Sequence, residues 1–181
     1  SEELFALTDQ ETSIQSELKE YEEAIVAGNK TVAALNKAEH FLDSAIGWST
    51  WDMMGGGLLS TAMKHSRIDD AKKHIHRAQA ELRHFQEELL DIKNHYQINI
   101  EIGNFLTFAD YFFDGLIVDW FVHGKIRDSL HQTHQTKTKV NDLLRVLNEA
   151  KEKLNIDYET VKSKRVELLE GEIIEMSPEG I

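Results

Sequence analysis

The 181-residue sequence contains no cysteine, which excludes disulfides, thiolate chemistry and most structural zinc sites. Its single proline, Pro178, stands close to the C-terminus, so almost nothing before it interrupts a long helix. A run of about eighteen apolar residues, which a membrane-spanning helix needs, is absent as well. These absences predict an all-α protein built from long helices.

The charge of the chain is strongly unbalanced, with 32 acidic residues against 20 basic ones and a net charge of −12. Such a chain repels a phosphate backbone, so we expect no nucleic acid among its partners. The densest basic stretch, residues 64–84, has acidic residues throughout, which is typical of a solvated helix surface. The lack of cysteine and of a signal peptide favours a cytoplasmic location, although the first residue is serine and an upstream segment can precede it.

The first predicted helix starts at a Thr-x-x-Glu pattern in residues 8–11, the spacing of a capping box. Apolar residues then recur every three or four positions from Ile14 onwards and keep one phase across Gly28. A hairpin at residues 28–29 would have no reason to keep that register. We therefore expect one helix over 9–46 and keep the hairpin as the alternative.

The most regular apolar pattern has the strict three-four spacing of a coiled-coil seam and predicts a helix over 58–97. Its members are Ile68, Ala71, Ile75, Ala78, Leu82, Phe85, Leu89 and Ile92. The same spacing returns from Ile126 onwards, behind the most apolar stretch of the chain. Together these two parts predict a helix over 105–154.

The C-terminal part of the chain carries a further stop signal. Asn155 and Asp157 are typical of a helix end followed by a fresh cap. We therefore expect a last helix over 157–173, followed by a flexible tail over 176–181.

Two segments, about 52–98 and 110–156, align when the sequence is shifted by 58 positions. The identical pairs are Asp52/Asp110, Gly57/Gly115, Leu58/Leu116, His65/His123, Ile68/Ile126, Asp70/Asp128 and His76/His134. We interpret the match as an internal pseudo-repeat in which an apolar segment, a break after a histidine and a long heptad helix occur twice.

Each apolar segment is too short to span a bilayer and too apolar to lie on a surface. Burying both against one another would form a glycine- and aromatic-rich hub, from which long antiparallel helices extend as an elongated bundle or coiled coil. The whole would be a single domain over 1–175. We assign to this hub Asp52, Gly55, Gly56, Gly57, His65, Asp110, Gly115, Trp120 and His123, with the aspartates at helix starts and the histidines at helix ends.

Two pairs of residues have a spacing that metal ligands use on a helix. Asp119 and His123 are four positions apart, and His131 and His134 are three apart. Neither pair recurs in the other copy of the repeat, and only one true Glu-x-x-His match for a di-iron bundle occurs. A carboxylate/histidine metal enzyme at the hub is therefore the alternative hypothesis, and we expect no cofactor.

Large side chains cluster in the expected loop 47–57, where three consecutive glycines predict a turn, a bent helix start or a close approach of another backbone. Trp48, Trp51, Met53 and Met54 either fill a core or form a docking patch on this loop. No lysine-rich rim surrounds them, so a protein partner suits the patch better than an anionic membrane surface. Reversible membrane docking through 47–57 remains a second alternative.

No catalytic triad, phosphate loop or dinucleotide fingerprint occurs in the sequence. We therefore interpret the chain as a non-catalytic helical interaction or assembly module. It would bind a protein partner, form a homodimer, or do both.

Overall fold

The computed structural model describes residues 1–52, 58–96, 102–110, 112–113 and 126–177, with only the backbone at 48–52 and 58–65. Nearly all of these residues are helical and none lies in a strand, which confirms the all-α class. The helices are α1 (Glu2–Asp52), α2 (Leu58–His95), α3 (residues 103–110, with helix again at 112–113) and α4 (Ile126–Met176).

Helix α1 is 51 residues long and therefore spans about 75 Å. It passes through Gly28 without interruption, so the alternative of a hairpin at residues 28–29 is wrong. A Cβ atom at Gly28 would lie 2.6 Å from Leu144 Cδ2 and 2.9 Å from Phe85 Cε2. The glycine thus provides space for side chains of α2 and α4, which converge on α1 at this point.

The predicted capping box at the start of α1 is also wrong. The helix begins several residues earlier, where Ser1 Oγ accepts a hydrogen bond of 3.3 Å from the backbone N–H of Leu4. The Thr8 hydroxyl instead donates to the carbonyl oxygen of Leu4, at 2.8 Å. Glu11 is unavailable for capping because its carboxylate forms an ion pair with Arg165 of α4.

Helices α2 and α4 both pack against α1. Hydrogen bonds join α1 to α2 through Ser16–Tyr96, Thr31–Glu81 and Ser44–Arg67. Contacts between α1 and α4 include Glu11–Arg165, Gln15–Tyr158, Glu22–Lys151 and Glu39–His134. Residue numbers rise along α1 as they fall along its neighbours, so both contacts join segments that run in opposite directions.

Helix α3 packs between α2 and α4. The rings of Phe105 and Phe85 meet edge to face with centroids 5.6 Å apart, and Lys139 Nζ lies 4.7 Å from the ring centre of Phe108. Asp110 was expected at a helix start, but it lies at the end of the stretch 103–110. Its role as a cap is therefore wrong, since its carboxylate accepts a 3.2 Å hydrogen bond from Gln86 Nε2.

The break predicted at Asn155 and Asp157 is absent, because α4 continues from Ile126 to Met176 as one helix of 51 residues. A mainly apolar stripe of α4 faces α1, and it continues past residues 155–157 with the same three-four spacing. Its members are Leu147, Ala150, Leu154, Tyr158, Val161, Arg165 and Leu168, all buried or half-buried. Packing along this stripe outweighs the low helix propensity of two polar residues. A single domain over 1–175 stays a prediction.

Candidate functional site

The predicted docking patch lies only partly within the described residues. Trp48 and Trp51 belong to α1, so the expected loop over 47–57 is wrong for its first six residues. The helix continues because the consecutive glycines come only after Asp52. Of Trp48, Trp51, Asp52 and His65 the structure describes only the helical backbone. Outside the described residues lie Met53, Met54, Gly55, Gly56, Gly57, Gly115, Asp119, Trp120 and His123.

The predicted metal ligands His131 and His134 line an open groove of about 830 Å³ between α1 and α4. His134 Nδ1 donates to Glu39 Oε1 at 2.9 Å, and Lys137 binds the other carboxylate oxygen. His131 Nε2 lies 3.0 Å from Gln135 Nε2, so it makes its contact one turn along its own helix. Glu39 therefore joins the two helices as an ion pair, and the two histidines do not share a common point.

A close group of three acidic side chains occurs elsewhere in the described part of the chain. Carboxylate oxygens of Glu20, Glu23 and Glu88 lie within 4.8 Å of one another, and this is the one such group that the described residues contain. Burial raises the pKa of Glu88, and the charges of Glu23 and Glu20 raise it further, against the opposite effect of His84. The group is acidic and crowded, and it includes none of the predicted ligands.

The most distinctive surface is at the end of the molecule where α1 begins and α4 finishes. We call this part, residues 1–14 of α1 and 158–176 of α4, the open end. Ser16 forms the last hydrogen bond from α1 towards α2, to Tyr96 just beyond the end of α2. The ion pairs of the open end join its two segments to each other, through Glu11–Arg165 and through the Ser1 amino group and Glu172. Of the described helices, two form the open end, whereas four pack together around Phe85.

Helix α4 carries two apolar stripes at the open end. The inner stripe, which includes Val161 and Leu168, faces α1. The outer stripe has the same three-four spacing but lies exposed, and its members are Val166, Leu169, Ile173 and Met176. Ile173 is 57% and Met176 83% exposed. Exposed apolar residues at seam spacing are typical of a helix that packs against a further helix.

Polar contacts hold the open end together where apolar burial is limited. Gln15 Nε2 donates to Tyr158 Oη at 2.8 Å, and Tyr158 Oη lies 3.4 Å from Glu11 Oε1. Arg165 completes the cluster by pairing with Glu11. The side of α4 that faces α1 is therefore already occupied, whereas the outer stripe remains exposed.

Sequence reasoning missed the outer stripe because it followed only the apolar positions Val161 and Leu168 through the last predicted helix. A signal was present in the sequence. Val166, Leu169, Ile173 and Met176 repeat the three-four spacing of the inner stripe, displaced by one residue, or about 100° around the helix. No described helix holds a stretch that is long and apolar enough to cross a membrane. Comparison with protein families, with curated proteins and with solved structures finds no match.

Proposed function

We propose that this chain is a non-catalytic helical assembly module that self-associates through the outer stripe of its open end. The observation that carries the proposal is the row Val166, Leu169, Ile173 and Met176, which follows seam spacing and remains exposed. Phe5 and Ile174, 75% and 74% exposed, add apolar surface to the same end of the molecule. Burying such a row in a helix–helix contact is favourable because its apolar area leaves water.

A second copy of the chain is the occupant that the surface suits best. A two-fold axis would place the stripe of one copy against the stripe of the other, so that one sequence pattern serves both sides. The contact would also bring four helices together at the open end, as already occurs around Phe85. The module would thereby continue its own four-helix packing across the contact.

The charges beside the stripe favour antiparallel pairing of the two copies. Two exposed cations, Lys162 and Lys164, precede the stripe, and the acidic residues Glu167, Glu170 and Glu175 lie along it. Antiparallel helices place the cations of one copy near the acids of the other, whereas parallel helices oppose like charges.

The proposal includes an elongated bundle with coiled-coil seams and the internal pseudo-repeat over about 52–98 and 110–156. Its support is that seam residues separated by 58 positions are buried in both helices. These pairs are Ala71/Ser129, Ile75/Thr133, Ala78/Thr136, Leu82/Val140, Phe85/Leu143 and Leu89/Leu147. Helices α2 and α4 also use these residues in the same way, each packing along α1.

Sedimentation of two variants tests the self-association. The variant Ile173→Ser/Met176→Ser removes the centre and end of the outer stripe, and we expect it to sediment as a monomer at concentrations where the wild-type chain is a dimer. In a two-fold contact the double substitution removes four partly buried apolar side chains, two from each copy, which together contribute about 4 kcal/mol and correspond to roughly 1000-fold weaker association.

The matched control is Val26→Ser, which removes an apolar side chain that is 45% exposed but lies in the middle of α1. It should leave the association unchanged. A wild-type chain that remains monomeric at all concentrations, or a stripe variant that dimerises as well as the control, would contradict the proposal. Circular dichroism of each variant verifies that helix content is retained.

A further inference from the structure

A second groove, about 710 Å³ in volume, lies between α1 and α2. It concentrates positive charge on a strongly acidic protein. The residues that line it are Lys30, Ala33, Ala34, Lys37, Lys73, His74, His76, Arg77 and Glu81. Four of them carry a permanent positive charge and only Glu81 a negative one.

The lysines of this groove have no carboxylate partner within the described residues. Glu81 is occupied by Arg77, whose Nε lies 3.2 Å from the Oε1 atom. In the part of the chain that the structure describes, no salt bridge includes Lys30, Lys37 or Lys73. Acidic residues outnumber basic ones in the whole chain, yet Glu81 is the one acidic residue that lines this groove.

The cations are arranged around a common space. Lys30 and Lys37 are seven residues apart on α1, which places them two turns and about 10 Å from each other. Lys73 and Arg77 are one turn apart on α2, on the opposite wall. The two alanines of α1 leave the groove open between these walls.

The pKa of His74 is affected by lysines from both walls of the groove. Burial lowers the pKa of its imidazole, and Lys37 and Lys73 lower it further, against the opposite effect of Asp70. Lys37 comes from α1 and Lys73 from α2, so cations of both helices act on the same imidazole. The imidazole stacks on Phe41 with ring centroids 4.1 Å apart, which fixes it at the groove wall.

We propose that this α1–α2 groove binds a soluble anion that carries several phosphate groups. Lysine ammonium groups bind phosphate as point charges, and a ligand with several phosphates reaches both walls at once. Such a ligand also relieves the mutual repulsion of cations that no carboxylate neutralises. A free anion suits the site better than a membrane headgroup, because the net charge of −12 repels an anionic surface.

Calorimetric titration with inorganic tripolyphosphate in about 0.1 M salt, where the Debye length is about 10 Å, tests the proposal. We expect saturable binding of one anion per wild-type chain. The variant Lys37→Gln/Lys73→Gln removes one cation from each wall and should bind about tenfold more weakly, since each partly exposed ion pair contributes about 0.5–1 kcal/mol.

The control variant Lys93→Gln/Lys153→Gln removes the same charge from exposed positions outside the groove. Its affinity should remain within about twofold of wild type, because long-range charge effects are largely screened. Equal loss of affinity in both double variants would show a non-specific charge effect and overturn the proposal. Absence of saturable binding to the wild-type chain would overturn it as well.

A second measurement places the anion in the groove. Tripolyphosphate next to His74 should raise the pKa of its imidazole, because the anion cancels the charges of Lys37 and Lys73. Titration of the histidine ring signals by NMR, with and without the anion, measures this shift. An unchanged His74, or binding to phosphoinositide vesicles without any binding of tripolyphosphate, contradicts the proposal.

Discussion

The middle of the molecule and its open end use the same apolar spacing but differ in side-chain size and exposure. Around Gly28 the buried residues of α1 include the large Ile25 and Leu35 but also a set of small ones, which are Ala24, Ala27, Thr31, Ala34 and Ala38. Their small size lets helices approach closely, and Phe85 fills the remaining space. At the open end, large residues such as Ile173 and Met176 stay exposed. Seam spacing therefore predicts that a helix face packs, and the number of neighbouring helices decides whether it is buried.

The largest expected effect comes from truncating an aromatic side chain in each region. Phe85 is fully buried and meets Phe105, so Phe85→Ala should lower the free energy of unfolding by about 3–5 kcal/mol. Phe5 is 75% exposed at the open end. Phe5→Ala should therefore change the free energy of unfolding of the monomer by less than about 0.5 kcal/mol. Urea unfolding at low protein concentration measures both values.

Equal losses in the two phenylalanine variants would mean that the open end is as tightly packed as the middle. A small loss for Phe85→Ala would mean that the space around Gly28 closes by rearrangement. Either result would remove the difference between the two regions on which the proposed self-association depends.

A smaller effect is expected from filling the position of a glycine in α1. Gly28→Leu introduces a side chain where a Cβ alone would lie 2.6 Å from Leu144, so overpacking should cost about 1–3 kcal/mol. Gly47 lies in the same helix, and among the described residues no atom outside its own helical turn lies within 4 Å of a Cβ at this position. Gly47→Leu should therefore stabilise the protein by up to about 1 kcal/mol through helix propensity. Thermal unfolding compares the two variants, and a stabilising Gly28→Leu would contradict the close approach of the helices.

Local patterns in the sequence were sufficient to predict the all-α class and which positions of α2 are buried. Ile75, Leu82 and Leu89 follow strict seam spacing, and all three are buried. The same spacing across Gly28 favoured one long helix over a hairpin, as α1 now shows. These features could be predicted because a repeating apolar face needs no knowledge of its neighbour.

Features that depend on distant neighbours could not be predicted in this way. Asn155 lies inside α4 because the stripe facing α1 continues past it. Glu11 contacts Arg165, which is 154 residues away, and so does not cap α1. The α1–α2 groove was missed for the same reason, since Lys37 and Lys73 come together only when the helices pair. Most residues of the predicted hub lie outside the described ranges, so the hub stays a prediction. A cytoplasmic location stays a prediction as well.

The smallest expected effect concerns the acidic contact between α1 and α2, where the packed middle approaches the open end. Burial raises the pKa of Glu88 above its ordinary value of 4.5, and nearby Glu23 raises it further. A carboxyl whose pKa is raised in the folded protein destabilises the fold once it is ionised, and this cost disappears as the pH falls below 4.5. Glu88→Gln should therefore raise the unfolding temperature at neutral pH and leave it nearly unchanged below pH 4.5.

The control for this substitution is Glu87→Gln, which removes the same charge from a side chain that is 67% exposed. It should raise the unfolding temperature less than Glu88→Gln at neutral pH, because a solvated carboxylate is screened by water and salt. A gain for Glu88→Gln that persists in acid would assign the effect to packing rather than to charge. The contact between α1 and α2 would then resemble the tightly packed middle, and the boundary between the two regions would lie closer to the open end.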